Sequence, residues 1–548
     1  MSLKTGQSAS NDNQSISLYV GHQSCYVGSH IWNLRNQLID DNEIDNNNDN
    51  NDDNDNDNND NEYHDVSAIY RMKKGKRYPR AMFFDYKDNI RYKATTSMIH
   101  NEEAEIRHSS WKGRVNTIFR QDNTTNNISN NDNDININDN TTFDERKVTT
   151  WTNFMNPNKL LPNSICSLPL WTNDTNFDTY CSGAMNEHIS PSVKESYMDN
   201  FRYFAEECDY LSTVNICCDI SDGFGYLTQL LLEEIREETR SATIPVWMLQ
   251  DSDSVIKTYE LQQKKNMIKE LGNPICYANI SEYANMIVPI NHTKAMQSML
   301  PKDRNLFTQF ESSAIIGTAI DTITSVEYLK NLQIGEGSKW KTIHNLCQGA
   351  TALGRFQFTG LEISLPFSAS IEAESSDLLW QSFVKEKHRN LANLNPFTLS
   401  LSAAALSSSS VSFASTEERK LSNFTNMLSI RGFCNPQLIP TLYKHYPQQS
   451  YLLTNVQVIE SSVHLPMKFP QYLWNYIENK TVEYSSITNN ADDMIDRIMV
   501  NGCPCAASLG CNETMGIHIN EVATNWTANV PSSRHQVCYI FYFITFFS

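Results

Sequence analysis

Val214-Asn-Ile-Cys-Cys-Asp-Ile-Ser-Asp-Gly-Phe-Gly225 is the stretch that decides the fold. Its first half is mostly apolar, as is typical of a strand that helices cover on both sides. Its second half is a glycine turn, after which leucine and isoleucine recur at helical spacing through residues 227–235. A further apolar run at residues 244–249 predicts the next strand. The sequence therefore predicts a β-turn-α-β unit of a parallel α/β sheet.

The turn in this unit is a candidate ligand site. The first amides of a helix have no partner within the helix, so α/β folds commonly hold a phosphate at such a turn. Gly223 and Gly225 are also explained by a tight turn alone, and both interpretations stay open. Before the strand, apolar residues from Phe201 to Leu211 recur every three or four positions, which predicts an amphipathic helix that continues to Leu211.

Composition limits the class of protein. The chain has 548 residues, enough for two or three domains, with a hydrophobic content of 40% and a net charge of −19. About a dozen acidic residues fall within 40–65, interleaved with asparagine, and a second Asn/Asp-rich tract covers 121–142. Such segments bury too little apolar surface to offset their ordering entropy, so we expect two disordered insertions. The remainder has no basic patch, so nucleic acid is not an expected partner.

The cysteines and the first residues of the chain give indications of the cellular compartment. The 13 cysteines form no Cys-x-x-Cys pair, which predicts reduced core residues in a cytosolic protein. Cys503, Cys505 and Cys511 form a loose cluster without matching histidines, and a structural role is favoured over metal binding. The first residues contain neither an apolar signal core nor a run of arginines, so secretion and a cleavable mitochondrial presequence are both disfavoured.

A second strand, glycine turn and helix lie near the start of the chain. Residues 16–20 predict the strand, Gly21-His-Gln-Ser-Cys-Tyr-Val-Gly28 the turn, and apolar residues up to Leu38 the helix. Residues 78–85 predict another strand, and its last residue, Asp85, can face a ligand or cap a turn. The sequence thus contains two candidate ligand-facing turns.

Several of these segments resemble one family. Phe204-Ala-Glu-Glu-Cys-Asp209 and Asp222-Gly-Phe224 closely resemble the Misato family of eukaryotic proteins, which are distantly related to tubulin. Residues 21–32 are similar to the Misato opening and, more remotely, to the first nucleotide loop of tubulin, and residues 340–353 would correspond to tubulin's long central helix. The resemblance implies an α/β fold, with a tubulin/FtsZ-like parallel-sheet domain of the nucleotide-binding type followed by a second α/β domain.

The expected domain organisation combines this resemblance with composition. It comprises a disordered N-terminus (1–15), a tubulin-like N-terminal segment (16–120) with the acidic insert (40–65), an Asn/Asp-rich linker (121–147), the continuation of the tubulin-like domain (148–356), a C-terminal α/β domain (357–536) and an apolar tail (537–548). The tail is uncharged and too short to span a bilayer as a helix. We interpret it as a gene-model artefact, the alternative being a contact with a membrane surface.

GTP or GDP with Mg²⁺ is the ligand that the resemblance implies for the two turns. The candidate nucleotide-binding residues are Gly21, His22, Gln23, Gly28, Ser221, Asp222, Gly223, Phe224, Gly225 and Asn345. Tubulin has glycines where this chain has Ser221 and Asp222, and a carboxylate about 4 Å from a phosphate costs roughly 1 kcal/mol per unit charge in water. Asp222 therefore disfavours a bare triphosphate unless it holds Mg²⁺.

The sequence gives less reason to expect nucleotide hydrolysis than nucleotide binding. Ser312 stands where tubulin has a nucleotide-contacting asparagine, and Asn345, beside His344, is the one residue that could replace tubulin's later base-contacting asparagine. The acidic motif that activates water in tubulin is missing after the central helix. We therefore predict no catalytic residue, no metal site and no tubulin-like GTPase activity, and leave nucleotide binding open.

The leading functional hypothesis is a non-enzymatic, tubulin-related scaffold or regulator that acts through protein partners. The resemblance implies a role in mitochondrial distribution and morphology, a cytoplasmic location with a pool associated with the mitochondrial outer membrane, and links to tubulin and the cytosolic chaperonin. Two alternatives stay open. One is a divergent GTP-binding switch or weak GTPase, and the other is a tubulin- or microtubule-associated factor whose acidic tracts match tubulin's tails in charge alone.

Overall fold

The computed structural model describes residues 14–49, 66–73, 76–90, 143–155, 159–170, 172, 177–185, 189–250, 272–291, 307–329, 332–334, 343–344, 347, 357–365, 398–400, 423–432, 450–459, 461–477, 503, 505–512 and 524. Three sequence predictions lie outside these ranges: the disordered N-terminus apart from its last residues, the Asn/Asp-rich tract at 121–142 and the apolar tail at 537–548.

A six-stranded parallel sheet forms the core of the first half of the chain. The strands of this half are β1 (Gln14–Val20), β2 (Tyr70–Lys73), β3 (Lys76–Pro79), β4 (Ala81–Tyr86), β5 (Ile165–Leu168), β6 (Leu211–Asp219), β7 (Pro245–Leu249) and β8 (Met286–Ile290). The sheet has the spatial order β5-β4-β1-β6-β7-β8, and all its neighbours run parallel, while β2 and β3 form a separate hairpin. The predicted α/β fold class is confirmed.

Helices connect these strands. They are α1 (His22–Asp49), α2 (Val66–Ile69), α3 (Tyr180–Ala184), α4 (Pro191–Ala205), α5 (Gly223–Glu238), α6 (272–281) and α7 (Gln309–Thr324). The predicted β-turn-α-β unit is present as β6, α5 and β7. Within the described residues, no helix is both long and apolar enough to cross a bilayer.

Helix α4 ends at Ala205, and the prediction that it continues to Leu211 is wrong. The amide of Glu206 closes the last turn by donating to the carbonyl of Arg202 at 2.8 Å, and Leu211 already begins β6. Cys208 and Leu211 still pack against the same apolar core, from a loop and from a strand. The three- to four-residue spacing of apolar side chains therefore continues past the residue at which the helix ends, and this spacing misled the prediction.

Helix α1 continues to Asp49, past the expected start of the acidic insert. Asp40 is anchored, because Arg77 Nη2 and Lys159 Nζ each lie 2.9 Å from a carboxylate oxygen. A helix that has already formed extends through a less favourable sequence at low cost, since the unfavourable step is its nucleation. The first part of the insert is therefore helical, and residues 50–65 lie outside the described ranges.

A second, mixed sheet forms the core of the remaining described residues. Its strands are β9 (Leu332–Ile334), β10 (Gly360–Ser364), β11 (Thr398–Ser400), β12 (Asn423–Arg431), β13 (Ser450–Ile459) and β14 (Cys505–Asn512), in the order β11-β10-β14-β12-β13-β9. Strands β12 and β13 run parallel, and the other neighbours run antiparallel. The edge strand β9 comes from before residue 357, and the expected boundary there stays a prediction.

Helix α7, the predicted small-residue helix, packs between α1 and the second sheet. All its residues from Phe310 to Thr324 are buried. The carbonyl of Thr322 accepts a hydrogen bond from Ser429 Oγ of β12 at 2.8 Å, and Thr322 Oγ1 lies 3.5 Å from Cys505 Sγ of β14. The two sheets are therefore joined through this helix. Of the helix expected at 340–353, the structure describes residues 343–344 and 347, and these are helical.

Candidate functional site

The two glycine turns lie side by side at the carboxyl edge of the parallel sheet. Strands β1 and β6 are neighbours, with Val20 paired to Cys218, so the chain leaves both strands at the same edge. The first turn leads directly into α1 and the second into α5. Ligands of open α/β sheets bind at this edge. The candidate residues of the two turns are therefore brought together.

Asp219, the last residue of β6, occupies the amino end of α1. Its carboxylate accepts hydrogen bonds from the amides of Gln23 (2.8 Å) and Ser24 (2.9 Å) and from the Ser24 hydroxyl (2.6 Å). These amides belong to the first turn of the helix, where N–H groups lack helical partners and attract an anion. In this chain a side chain of the protein supplies that anion.

Burial controls the protonation of this carboxylate. Burial raises the pKa of Asp219 to about 7, while the hydrogen bonds from Ser24 and Gln23 and the nearby charge of His22 lower it. The three donors are neutral groups, so they only partly offset the loss of hydration around a buried charge. Burial and the hydrogen-bond donors therefore act in opposite directions on the charge of this carboxyl group.

Gly21 makes room for the Asp219 carboxylate. Its φ is +120°, and a Cβ built on it would lie 2.4 Å from Asp219 Cγ. The turn predicted at residues 21–28 is shorter than expected, because α1 begins at His22 and Gly28 lies within this helix, where a Cβ on it would lie 2.6 Å from the ring of Tyr19. Contacts within the chain thus explain both Gly21 at the turn and Gly28 in the helix.

The second turn is also closed by its own side chains. Asp222 caps α5, and its Oδ1 accepts a hydrogen bond from the Phe224 amide at 3.0 Å. Phe224 is fully buried and packs edge-on against Phe177. A Cβ on Gly223 would lie 2.5 Å from the Phe177 ring, and one on Gly225 would lie 3.0 Å from a thiol sulfur. The geometry supports the alternative that these glycines permit a tight, close-packed turn.

His22 is held by Asp85, which lies near the end of β4. Asp85 Oδ2 accepts hydrogen bonds from His22 Nδ1 (2.8 Å) and Trp151 Nε1 (3.0 Å), and its Oδ1 accepts one from Asn89 Nδ2 (3.0 Å). Burial lowers the pKa of His22, but the hydrogen bond to Asp85 and the charge of that carboxylate outweigh burial and raise the pKa above its ordinary value. Asp85 thus orients a histidine at the edge.

Negative charge at the edge opposes the binding of a triphosphate such as that of GTP. Burial raises the pKa of Tyr86, and the nearby carboxylates of Asp222, Asp85 and Asp219 raise it further. A phosphate charge about 4 Å from one such carboxylate would cost roughly 4 kcal/mol at an effective dielectric constant of 20. The first-turn amides that would offset this cost already bind Asp219 and Asp222.

The remaining candidate residues do not all lie at the carboxyl edge of the sheet. Gln23 Nε2 donates to Ser312 Oγ at 3.3 Å, which places the start of α7 beside the first turn, and Ser221 is buried at the second. Asn345 lies outside the described residues. Its neighbour His344 is 2.6 Å from Thr243 Oγ1 through Nδ1. Thr243 precedes β7, so His344 lies at the opposite edge of the sheet from the turns.

Metal ligands are not grouped in the part of the chain that the structure describes, where no three His, Cys, Asp or Glu side chains are placed to hold an ion. Cys503 and Cys505, two members of the predicted cluster, are fully buried free thiols whose pKa burial raises. The side chain of Cys511 lies outside the described residues. The arrangement of these two cysteines fits the structural role that the sequence favoured.

A buried charge cluster joins the two halves of the protein and was not predicted. Asp321 of α7 accepts hydrogen bonds from Arg35 Nε of α1 and from Arg431 Nη1 of β12, both at 2.8 Å. The Tyr328 hydroxyl lies 3.0 Å from the same carboxylate. The three charged side chains are at most 3% exposed. One carboxylate therefore connects α1, α7 and the second sheet.

A signal for this cluster was present in the sequence. Arg35 lies on the apolar face of α1, four residues after Ile31 and three before Leu38, and Asp321 lies within the small-residue run of α7. A charged residue at a core position requires a buried partner. The partners could not be paired from the sequence, because Arg35 and Asp321 are 286 residues apart.

Comparison with protein families gives two matches. The family model described as the Misato Segment II tubulin-like domain matches residues 14–139, and the one described as a tubulin domain matches residues 151–329. The first match includes Gly21–Gly28 and α1, and the second includes the Asp219 and Asp222 turn and α7.

Curated proteins give similarities at low identity. The chain is 27% identical over 191 residues to Protein misato homolog 1 of Bos taurus, covering 33% of this chain and 32% of the relative. It is 22% identical over 337 residues to the Macaca fascicularis protein of that name (57% and 58% covered) and 20% identical over 385 residues to Protein dml-1 of Neurospora crassa (69% and 66% covered). The chain thus spans between about a third and just under two thirds of the length of these relatives.

Proposed function

The chain belongs to the Misato family of tubulin-like proteins, and from this premise we propose that it is a non-enzymatic scaffold or regulator of mitochondrial distribution and morphology that acts through protein partners. Its proposed location is the cytoplasm, with a pool associated with the mitochondrial outer membrane. Its proposed partners are tubulin and the cytosolic chaperonin. These biological terms rest on the family resemblance.

The occupation of both turns by side chains of the protein supports the non-enzymatic part of the proposal. Asp219 takes up the first amides of α1, and Asp222 takes up an amide of α5. An enzyme that cleaves a nucleotide must place preorganised donors around the phosphates. Here the amides of Gln23, Ser24 and Phe224 already bind carboxylates of the protein, and the surroundings are acidic.

A divergent GTP-binding switch is the second candidate. The observation that favours it is the meeting of both glycine turns at the carboxyl edge of the sheet, where ligands of this architecture bind. In that reading Asp222 would hold Mg²⁺. The two candidates differ in whether the wild-type chain binds GTP at all.

Calorimetric titration of the nucleotide-free full chain with GTP and GDP in the presence of Mg²⁺ separates them. We expect no heat of binding and no rise in melting temperature, whereas a ligand at a hundred times its dissociation constant would add about 2.7 kcal/mol of stability. The Asp222→Ala variant is titrated in parallel. Tight binding by the wild type would replace the scaffold with a switch, and its loss in the variant would assign the metal to Asp222.

Depletion and complementation in cells test the biological part. Depletion is expected to change the distribution or shape of the mitochondria, and expression of the wild type or of Asp222→Ala is expected to restore it equally. An unchanged mitochondrial network after depletion would contradict the proposed role. A folded Asp222→Ala protein that fails to restore the network would instead favour the switch.

A further inference from the structure

We propose that Asp219 is a built-in substitute for a bound anion: its carboxylate fills the anion site at the amino end of α1, so that the tubulin-like core is joined there without a ligand. The inference deepens the proposed function, on which it rests, by naming the group that stands in the place of a phosphate. It concerns one side chain and is testable without knowledge of the cellular role.

The contacts of Asp219 are those that helix amino ends make with free anions. Two consecutive first-turn amides and one hydroxyl converge on one carboxylate, at 2.6 to 2.9 Å. Such amides are a general site for phosphate, sulfate or carboxylate. The Asp219 side chain comes from a strand that is 195 residues distant from Ser24. The same contact that fills the site therefore also ties β6 to α1.

Gly21 provides an independent observation. The Cys25 amide donates to its carbonyl at 2.9 Å, so Gly21 is the N-cap residue of α1. An N-cap side chain normally accepts from the second or third amide of its helix. Gly21 has no side chain, and the place of its Cβ lies within 2.4 Å of the Asp219 carboxylate. The carboxylate has thus taken over the function of the missing cap.

Asp222 shows what an ordinary cap looks like in the same protein. It accepts from the amide of Phe224, two residues further along the chain, and it is less buried than Asp219. Its removal loses a local contact of α5, whereas removal of the Asp219 carboxylate leaves unsatisfied amides in a buried space between two elements. Asp222 is therefore a matched control for Asp219.

The test is chemical rescue of Asp219→Ala by formate. This substitution removes one carboxyl group and leaves a space with the size and the donors for formate, which carries the same group. In chloride the variant is expected to melt about 5 °C below the wild type. About 0.1 M formate at matched ionic strength is expected to restore about half of that loss, because the ligand binds the folded state alone. The wild type is expected not to respond to formate.

Two variants serve as controls for formate itself. Asp219→Asn keeps the shape of the side chain and leaves no space, so it is expected to lose stability without rescue. Asp222→Ala is also expected to show no rescue, since its site is less buried and its carboxylate accepts from one helix amide, that of Phe224. A general stabilising effect of formate would raise the melting temperature of all variants alike.

Each result decides the inference. Rescue confined to Asp219→Ala supports it, as does a variant that folds only when formate is present. A folded Asp219→Ala without rescue, or one that fails to fold in both salts, overturns it. Millimolar inorganic phosphate that stabilises the wild type would also overturn it, since the amides would then be available. GTP binding by the wild type together with formate rescue would contradict the proposed function alone.

Discussion

Helix α1 meets a buried carboxylate at two places, and the two contacts differ in the charge of the donors. At its amino end, Asp219 accepts from two amides and a hydroxyl, all of them neutral. Further along, Arg35 donates to Asp321, which also binds a second guanidinium. Burial lowers the pKa of Arg35, but Asp321 outweighs burial and raises it, whereas burial raises the pKa of Asp219 to about 7.

The difference shows two ways to place a carboxylate inside a fold. With neutral donors the carboxylate keeps much of the cost of burial, so the contact can be titrated or exchanged for another anion. With two cations the carboxylate is strongly stabilised in its charged form, and loss of the carboxylate leaves both cations buried without it. We therefore expect the amino-end contact to be replaceable and the central contact to be fixed.

The largest effect is expected from Asp321→Asn, which leaves two buried guanidinium groups without the carboxylate that they share. The free energy of unfolding should fall by about 3–5 kcal/mol, measured by urea denaturation. Asp40→Asn is the matched control. Asp40 also binds two cations, but it is 45% exposed, so its loss should cost at most about 1 kcal/mol. Equal losses in the two variants would remove the distinction between a fixed and a replaceable contact.

An intermediate effect is expected from Gly21→Ala. The added Cβ combines a left-handed backbone with a contact of 2.4 Å to the Asp219 carboxylate, and should cost about 2–4 kcal/mol of unfolding free energy. Part of this cost should disappear when Asp219→Ala is added, giving a coupling of about 1 kcal/mol or more in a double-mutant cycle. Strict additivity would show that the carboxylate does not occupy the place described. Gly272→Ala, where the nearest atom is 3.3 Å away, serves as the control.

The smallest effect concerns His30, which lies on α1 between the two contacts. Burial lowers its pKa to about 3, while the hydrogen bond to the Phe310 carbonyl raises it. The unfolded state therefore binds a proton that the folded state does not, and stability is lost as the pH falls from about 6.5 towards 3. At pH 5 the loss should be about 2 kcal/mol.

His30→Phe should reduce this pH dependence in urea denaturation between pH 7 and 5. Asp219, whose pKa is raised, contributes stability that is present at low pH and lost as the pH rises through about 7. Because both proteins contain Asp219, its contribution cancels when the pH dependence of the variant is subtracted from that of the wild type. His22→Gln is the control, because the pKa of His22 is raised and its contribution is lost as the pH rises. An unchanged slope in His30→Phe would show that the pKa of His30 is the same in the folded and unfolded states.

The sequence was sufficient to predict the helices and strands that have a local pattern of apolar residues. The strand β6, the turn and α5 follow from apolar spacing and two glycines, and the position of Asp85 at the end of a strand was predicted. The end of α4 was not, because Cys208 continues the apolar pattern from a loop. Periodicity records which side chains face the core and does not record where a helix ends.

The contacts that define the candidate site could not be predicted from local pattern. Asp219 was a polar interruption in a strand, and its partners are 195 and 196 residues away. Trp151, which fixes Asp85, lies 66 residues away from it. A carboxylate after a strand is compatible with a ligand, a cap or a partner, and the fold alone brings the amides of α1 to it.

The pairing of β1 with β6 has a consequence for synthesis. Gln14 and its neighbours leave the ribosome long before Leu211, their partner in the middle of the sheet. At roughly 5–20 residues per second, the 195 residues between Ser24 and its partner Asp219, in the same strand as Leu211, correspond to a delay of roughly 10–40 s. Arg35 is synthesised still longer before its partner Asp321, and Arg431, which binds the same carboxylate, follows later. During that time the apolar strand β1 and the side chain of Arg35 are without their native partners and are exposed to non-native contacts. The order of the strands therefore favours assistance by chaperones during synthesis.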